Sequence, residues 1–69
     1  MKCVLSASYS WKKNRIRHLE FGKVEVELSE DELRLLQNDN SARVNLFKQN
    51  IPHEVYEILQ NDVDLAIIN

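Results

Sequence analysis

The sequence predicts a single small α+β domain, a mixed sheet covered by two helices, and three stretches predict it. Glu20 to Glu25 surrounds the chain's one glycine with strand-forming residues, Leu28 to Asp39 carries the punctuation of a capped helix, and Leu36-Gln37-Asn38-Asp39 recurs as Leu59-Gln60-Asn61-Asp62. A short apolar run follows each copy of that tetrapeptide, Val44 to Phe47 and Leu65 to Ile68. The pattern reads as one domain over 1–69 with an internal duplication, a helix-turn-strand unit at 28–47 and another at 51–68. With 69 residues the chain stands near the lower size at which one apolar core suffices, so self-association or a partner is expected.

Residues 2–9, Lys2 to Tyr9, favour a strand, and the polar, basic residues 10–15 around Trp11 read as a loop. Gly22 stands at the first central position of a two-residue hairpin turn, with Lys23 as the second. In that register Phe21 faces Val24, Leu19 faces Val26 and Arg17 faces Leu28. His18 then meets Glu27 favourably, whereas Glu20 meets Glu25 unfavourably.

The first helix opens with a capping box, Ser29 accepting from the amide of Glu32 while the Glu32 side chain reaches back to Ser29. Leu28 and Leu33 are spaced for a hydrophobic staple, and Glu30, Asp31 and Glu32 suit the positive helix end. Leu33, Leu36 and Leu35 form the expected buried stripe, and Asn38 to Ser41 supply turn chemistry. A second helix is expected from Ile51, with Pro52 in its first turn and Val55, Ile58 and Leu59 inward. Leu65 to Ile68 lacks alternation, which suggests a strand buried on both faces or at an interface.

Charge is divided along the chain. Residues 1–19 hold Lys2, Lys12, Lys13, Arg15 and Arg17 without an acid, a balance of +5, while the remainder holds four basic and eleven acidic side chains, a balance of −7. Such polarity steers a molecule toward a charged partner or toward the opposite end of its own copy, or it is neutralised within the fold. One cysteine, Cys3, forms no internal disulfide and fits a reducing compartment. The first residues are too poor in apolar side chains for a signal peptide, and no run approaches a membrane span. The expected location is the cytoplasm.

No pattern of catalysis emerges, so the chain is expected to be no enzyme and to need no cofactor. One glycine makes no phosphate-cradling loop, and His18, His53 and Cys3 are too few and scattered for a closed zinc site. The two histidines are expected in surface or cross-strand roles. Asp39, Asp62 and Asp64 follow helix ends and read as turn formers rather than metal ligands. Tyr9 to His18 is the functional candidate, with Trp11, Lys12, Lys13, Arg15 and Arg17 as partner-binding residues. Basic side chains interleaved with aromatics suit an acidic protein surface anchored by Trp11, or a nucleic acid with base stacking. A sequence pI of about 5.6 argues against general nucleic-acid affinity. The remaining reading is a solvated basic loop with Trp11 folded onto the core.

Val26 to Asp39, followed by Val44, resembles the FluMu-type N-terminal domain of small accessory proteins in Mu-like phages and prophages. The shared pattern is a Ser- or Thr-capped helix ending in Leu-x-x-Asp before a valine-rich strand, preceded by a strand and a basic turn that Arg15 to Gly22 matches loosely. The resemblance covers about residues 15–45 and departs where a second helix-strand unit stands in place of a linker. It implies a small α+β fold, a phage or prophage origin and the cytoplasm of a bacterial host, with no catalytic residues to carry over. The combined expectation is a homodimeric, non-catalytic module that occupies a surface of a host or virion protein, inhibition being one mode, with nucleic-acid binding through residues 9–18 as the alternative.

Overall fold

Alternation along the first strand is the feature on which the architecture rests. Cys3, Leu5, Ala7 and Tyr9 are buried, while Val4, Ser6 and Ser8 between them are half-buried, the two-residue period of a strand with one covered face. A computed structural model describes residues 1–68 and extends this strand, β1, over Lys2–Lys13. It pairs along its whole length with β2, Ile16–Glu27, from Lys2 opposite Glu27 to Lys13 opposite Ile16. The reversal is the two-residue turn Asn14-Arg15, both residues in the left-handed region at φ 53° and 67°, as a type I′ hairpin turn requires.

Two expectations are thereby corrected. Residues 10–15 form the distal end of a β-ribbon rather than a loop, and Gly22-Lys23 lies inside β2 rather than at a turn. Asparagine tolerates the left-handed region well enough to start the turn, and a ribbon folded there makes ladder bonds along all of β1 instead of along a short stub. Phe21 and Val24 consequently point to opposite faces, His18 stands opposite Trp11 rather than Glu27, and Glu20 stands opposite Tyr9 rather than Glu25. Gly22 has a packing role. A Cβ there would lie 2.8 Å from Ile51 Cδ1 and 3.0 Å from both Phe47 Cζ and Tyr9 Cε1.

The first helix, α1, spans Glu30–Asn38 with the expected capping box: Ser29 Oγ accepts from the Glu32 amide at 3.2 Å and Glu32 Oε1 from the Ser29 amide at 2.9 Å. Leu33 and Leu36 are buried, while Leu35 is 63% exposed and falls outside the expected stripe. Asp39 then ends α1 and caps α2, Asn40–Asn50, its carboxylate accepting from the Ala42 amide at 3.2 Å. The strand expected over Val44–Phe47 is therefore helical, because Asp39 supplies a helix start and Val44 and Phe47, three apart, both turn toward the core.

Pro52 follows the end of α2 at Ile51 instead of opening a second helix-strand unit, consistent with proline's frequency just past a helix C-terminus. Val55–Ile58 forms β3 and Asp64–Ile67 forms β4, so the two segments of the expected duplication do not fold alike. Both strands join the free edge of β1, β3 beside Tyr9–Trp11 and β4 beside Cys3–Ser6. Gln60 bridges the gap between them, its Oε1 accepting from the Ser8 amide at 2.9 Å. All pairings are antiparallel, so the sheet is not mixed. Among the described residues β4 has one neighbouring strand, and it leaves Ala66 and Ile67 exposed rather than buried on both faces.

Both helices lie on one side of the sheet. Phe47, Tyr9, Leu5, Ala7, Val24 and Val63 form one buried cluster, and Cys3, Leu28, Leu33 and Leu36 form another beside it. Arg43 fastens the helical layer to the β4 approach, its guanidinium donating to the carbonyls of Val63 at 2.8 Å, Leu36 at 2.6 Å and Gln37 at 3.1 Å. The other side of the sheet is open, with Leu19 65% and Phe21 57% exposed. The result is elongated, 41 × 19 × 15 Å, and no helix among the described residues is long and apolar enough to cross a membrane.

Candidate functional site

The ribbon gathers the sequence-selected residues at its tip. The last rungs pair Trp11 with His18, Lys12 with Arg17 and Lys13 with Ile16, and Arg15 occupies the turn. Strand alternation divides them. Lys12 and Arg17 lie on the open face, while Trp11, His18, Lys13 and Ile16 belong to the helix side.

Trp11 is held rather than presented. Its indole stacks on His53 at 3.7 Å with an interplanar angle of 4°, and on His18 at 4.4 Å and 20° from the other side. His18 is placed by the hairpin register and His53 by the turn that Pro52 begins after α2. Behind the stack, the Tyr9 hydroxyl donates to Glu20 Oε2 at 3.3 Å, and the same oxygen lies 3.6 Å from His53 Nε2. Burial, together with the adjacent Glu20 carboxylate, pushes the Tyr9 phenol above its ordinary value. The Trp11 Nε1–H is shielded and has no hydrogen-bond partner among the described residues, so the stack is held by ring contact rather than by polar bonds to the indole. Trp11 thus fixes the tip against the β3 approach.

The basic residues differ in freedom. Lys12 Nζ sits 4.0 Å above the centre of the Tyr56 ring, a cation–π contact. Arg17 Nη2 meets Glu57 Oε1 at 3.1 Å, an exposed pair of small energetic worth. Lys13 and Arg15 are exposed, with no side-chain hydrogen bond or ion pair among the described residues, and Ile16 beside them is 60% exposed. An apolar side chain flanked by Lys13 and Arg15 is the chemistry of a contact with an acidic surface that has an apolar centre.

Sequence reasoning selected the basic side chains and the tryptophan, and the hairpin brings them to one end of the ribbon. It did not select His53, Tyr56, Glu57 or Ile16, because His53 arrives from the turn after α2, Tyr56 and Glu57 through β3, and Ile16 through the hairpin register. Alternation of Trp11, Lys13 and Ile16, His18 across an Asn-centred turn was the available signal. Away from the tip, Cys3 is fully buried. Among the described residues no group of three or more His, Cys, Asp or Glu side chains gathers as metal ligands would. No protein-family model, curated protein or solved structure matches the chain.

Proposed function

We propose that the chain is a non-catalytic protein-binding module of phage or prophage origin that acts in the bacterial cytoplasm by occupying an acidic surface of a host or virion protein. Host inhibition is the mode that such occupation most simply produces. The observation that carries this reading is the pre-formed basic tip: Lys13, Arg15 and Ile16 project from a ribbon whose end is fixed by the Trp11 stack, so little backbone ordering remains to oppose binding. Lys12 and Arg17 extend the same positive surface onto the open face. Trp11 positions these groups and does not itself make the contact.

Nucleic-acid binding is the second reading, favoured by the four cations at the tip. Stacking, which supplies much of single-strand affinity, has no free indole face to use, since histidine rings cover both sides of Trp11. Protein is therefore the preferred partner class.

Capture from host lysate with the tagged chain, with and without nuclease, tests both readings. The expected result is one stoichiometric protein that survives nuclease and is lost with the Lys13→Ala/Arg15→Ala/Ile16→Ala variant while the circular dichroism spectrum is unchanged. Retained capture by that variant would overturn the site assignment. Capture that disappears with nuclease, and weakens steeply with salt, would transfer the assignment to nucleic acid.

A further inference from the structure

The outer edge of β2 is twelve residues long and pairs with no strand among the described residues. Its hydrogen-bonding parity can be read directly. Met1 and Leu28 exchange backbone bonds, at 2.8 Å and 2.7 Å, so in β2 the even-numbered residues face β1 and the odd-numbered ones send their amides and carbonyls outward. Consistently, on β1 the carbonyls of Lys2 and Ser8 point the other way and accept from Ile68 and Leu59. Arg17, Leu19, Phe21, Lys23 and Glu25 therefore offer a continuous row of unpaired donors and acceptors.

We propose that this edge pairs antiparallel with the same edge of a second copy, about a two-fold axis at Phe21. The charge pattern along the strand argues for a copy of itself as the occupant. β2 and its turn are basic at one end, with Arg15 and Arg17, and acidic at the other, with Glu25 and Glu27. Antiparallel pairing about Phe21 sets Arg17 beside Glu25 and Arg15 beside Glu27 of the second copy, twice over by symmetry. Sliding the register by two residues one way brings Arg17 against Lys23, and the other way leaves Arg15 without its acid. The register centred on Phe21 alone matches both.

The same register places the two Phe21 side chains together on the open face, with Leu19 beside the aliphatic stem of Lys23. On the helix side it brings exposed Ile16 to Val26 of the second copy, at the rim of a groove of about 580 Å³ whose lining includes Val26, Leu28, Leu35 and Leu46. The Arg17–Glu57 contact is exposed and is readily exchanged for Glu25. This inference goes beyond the partner-binding reading and does not rest on it. Because edge pairing engages Arg15 and Arg17, a free tip belongs to the monomer.

Sedimentation equilibrium of the full chain from about 1 µM to about 1 mM tests the pairing, with circular dichroism as the check on folding. The wild type is expected to dimerise. Lys23→Pro removes an outward amide, a position that an edge strand tolerates, and should leave a folded monomer. Arg17→Glu or Glu25→Arg alone should weaken association about tenfold or more by placing like charges opposite each other, and the doubly reversed Arg17→Glu/Glu25→Arg chain should recover it. A wild type that stays monomeric throughout, or a Lys23→Pro chain that associates as tightly as wild type, overturns the proposal. If Lys23→Pro fails to fold, the charge variants decide: association indifferent to Arg17→Glu, or not recovered by the double reversal, overturns it.

Discussion

Replacing Gly22 by alanine adds one methyl group at the closest approach between β2 and α2. The new carbon would meet Ile51 Cδ1 at 2.8 Å, the end of a half-buried chain that can turn aside at small cost. Phe47 Cζ and Tyr9 Cε1, both at 3.0 Å, belong to rings 0% and 2% exposed, and must retreat by a few tenths of an ångström against a filled core. Overpacking of this kind costs about 1–3 kcal/mol. The opposing term is the smaller unfolded-state entropy of alanine, about 0.4–1 kcal/mol, fully realised here because the φ of Gly22 is not positive. The net expectation is a loss of about 1–2 kcal/mol, or about 4–16 °C in Tm for a domain of this size. Thermal melts and urea titration of the wild type, Gly22→Ala and Gly22→Val should show losses that grow with side-chain volume. An alanine variant as stable as wild type would refute the close packing of Phe47 on Gly22.

Three further perturbations probe other contacts. Arg43→Ala removes charge-assisted bonds to the carbonyls of Leu36, Gln37 and Val63 and should cost about 2–4 kcal/mol in urea titration; Arg43→Lys should recover only part of it, since one ammonium cannot span the fork. Hydrogen bonds from the Ser29 amide, and then from its hydroxyl, hold the Glu32 carboxyl below its ordinary value of 4.5. A depressed carboxyl contributes stability above 4.5 that is lost as pH falls through the lower folded value, so Glu32→Gln should flatten the acid limb of the stability curve, and an unchanged limb would argue against the capping box. His53→Ala uncovers one face of the sole tryptophan, and its emission should shift to the red while the Tm falls modestly; an unshifted spectrum would contradict the stack.

Some of this architecture was legible in the sequence because its signals are local. Ser29, Glu32, Leu28 and Leu33 specify the start of α1 within one turn, and the apolar run at Leu65 marked β4. The errors arose where long-range pairing overrode a local cue. Gly22 carries a turn signal, but a turn at Asn14-Arg15 gives β1 a partner along its full length and uses the missing side chain of Gly22 to seat Phe47. Leu36-Gln37-Asn38-Asp39 and Leu59-Gln60-Asn61-Asp62 are the same residues in different roles. Asp39 caps α2, whereas Gln60 leaves the backbone of a loop to bond Ser8 of β1. Val55 and Ile58 fit a helix by spacing and a strand by type, and the unfilled edge of β1 decided for the strand. At the tip, composition revealed the positive charge but not the clamp, since His53 approaches Trp11 only after Pro52 ends α2 and reverses the chain.

Placement of the basic residues depends on the hairpin register, and proton NMR of the Hα–Hα contacts across β1 and β2 measures it most directly. Non-hydrogen-bonded pairs bring these protons closest, so strong cross-peaks are expected for Lys12–Arg17, Ser10–Leu19 and Ser8–Phe21. Those peaks would put Lys13, Arg15 and Ile16 at the end of a ribbon, where a partner can reach them. A strong Glu20–Glu25 cross-peak instead would mean a turn at Gly22-Lys23, and would contradict both the fold and the interface built on it.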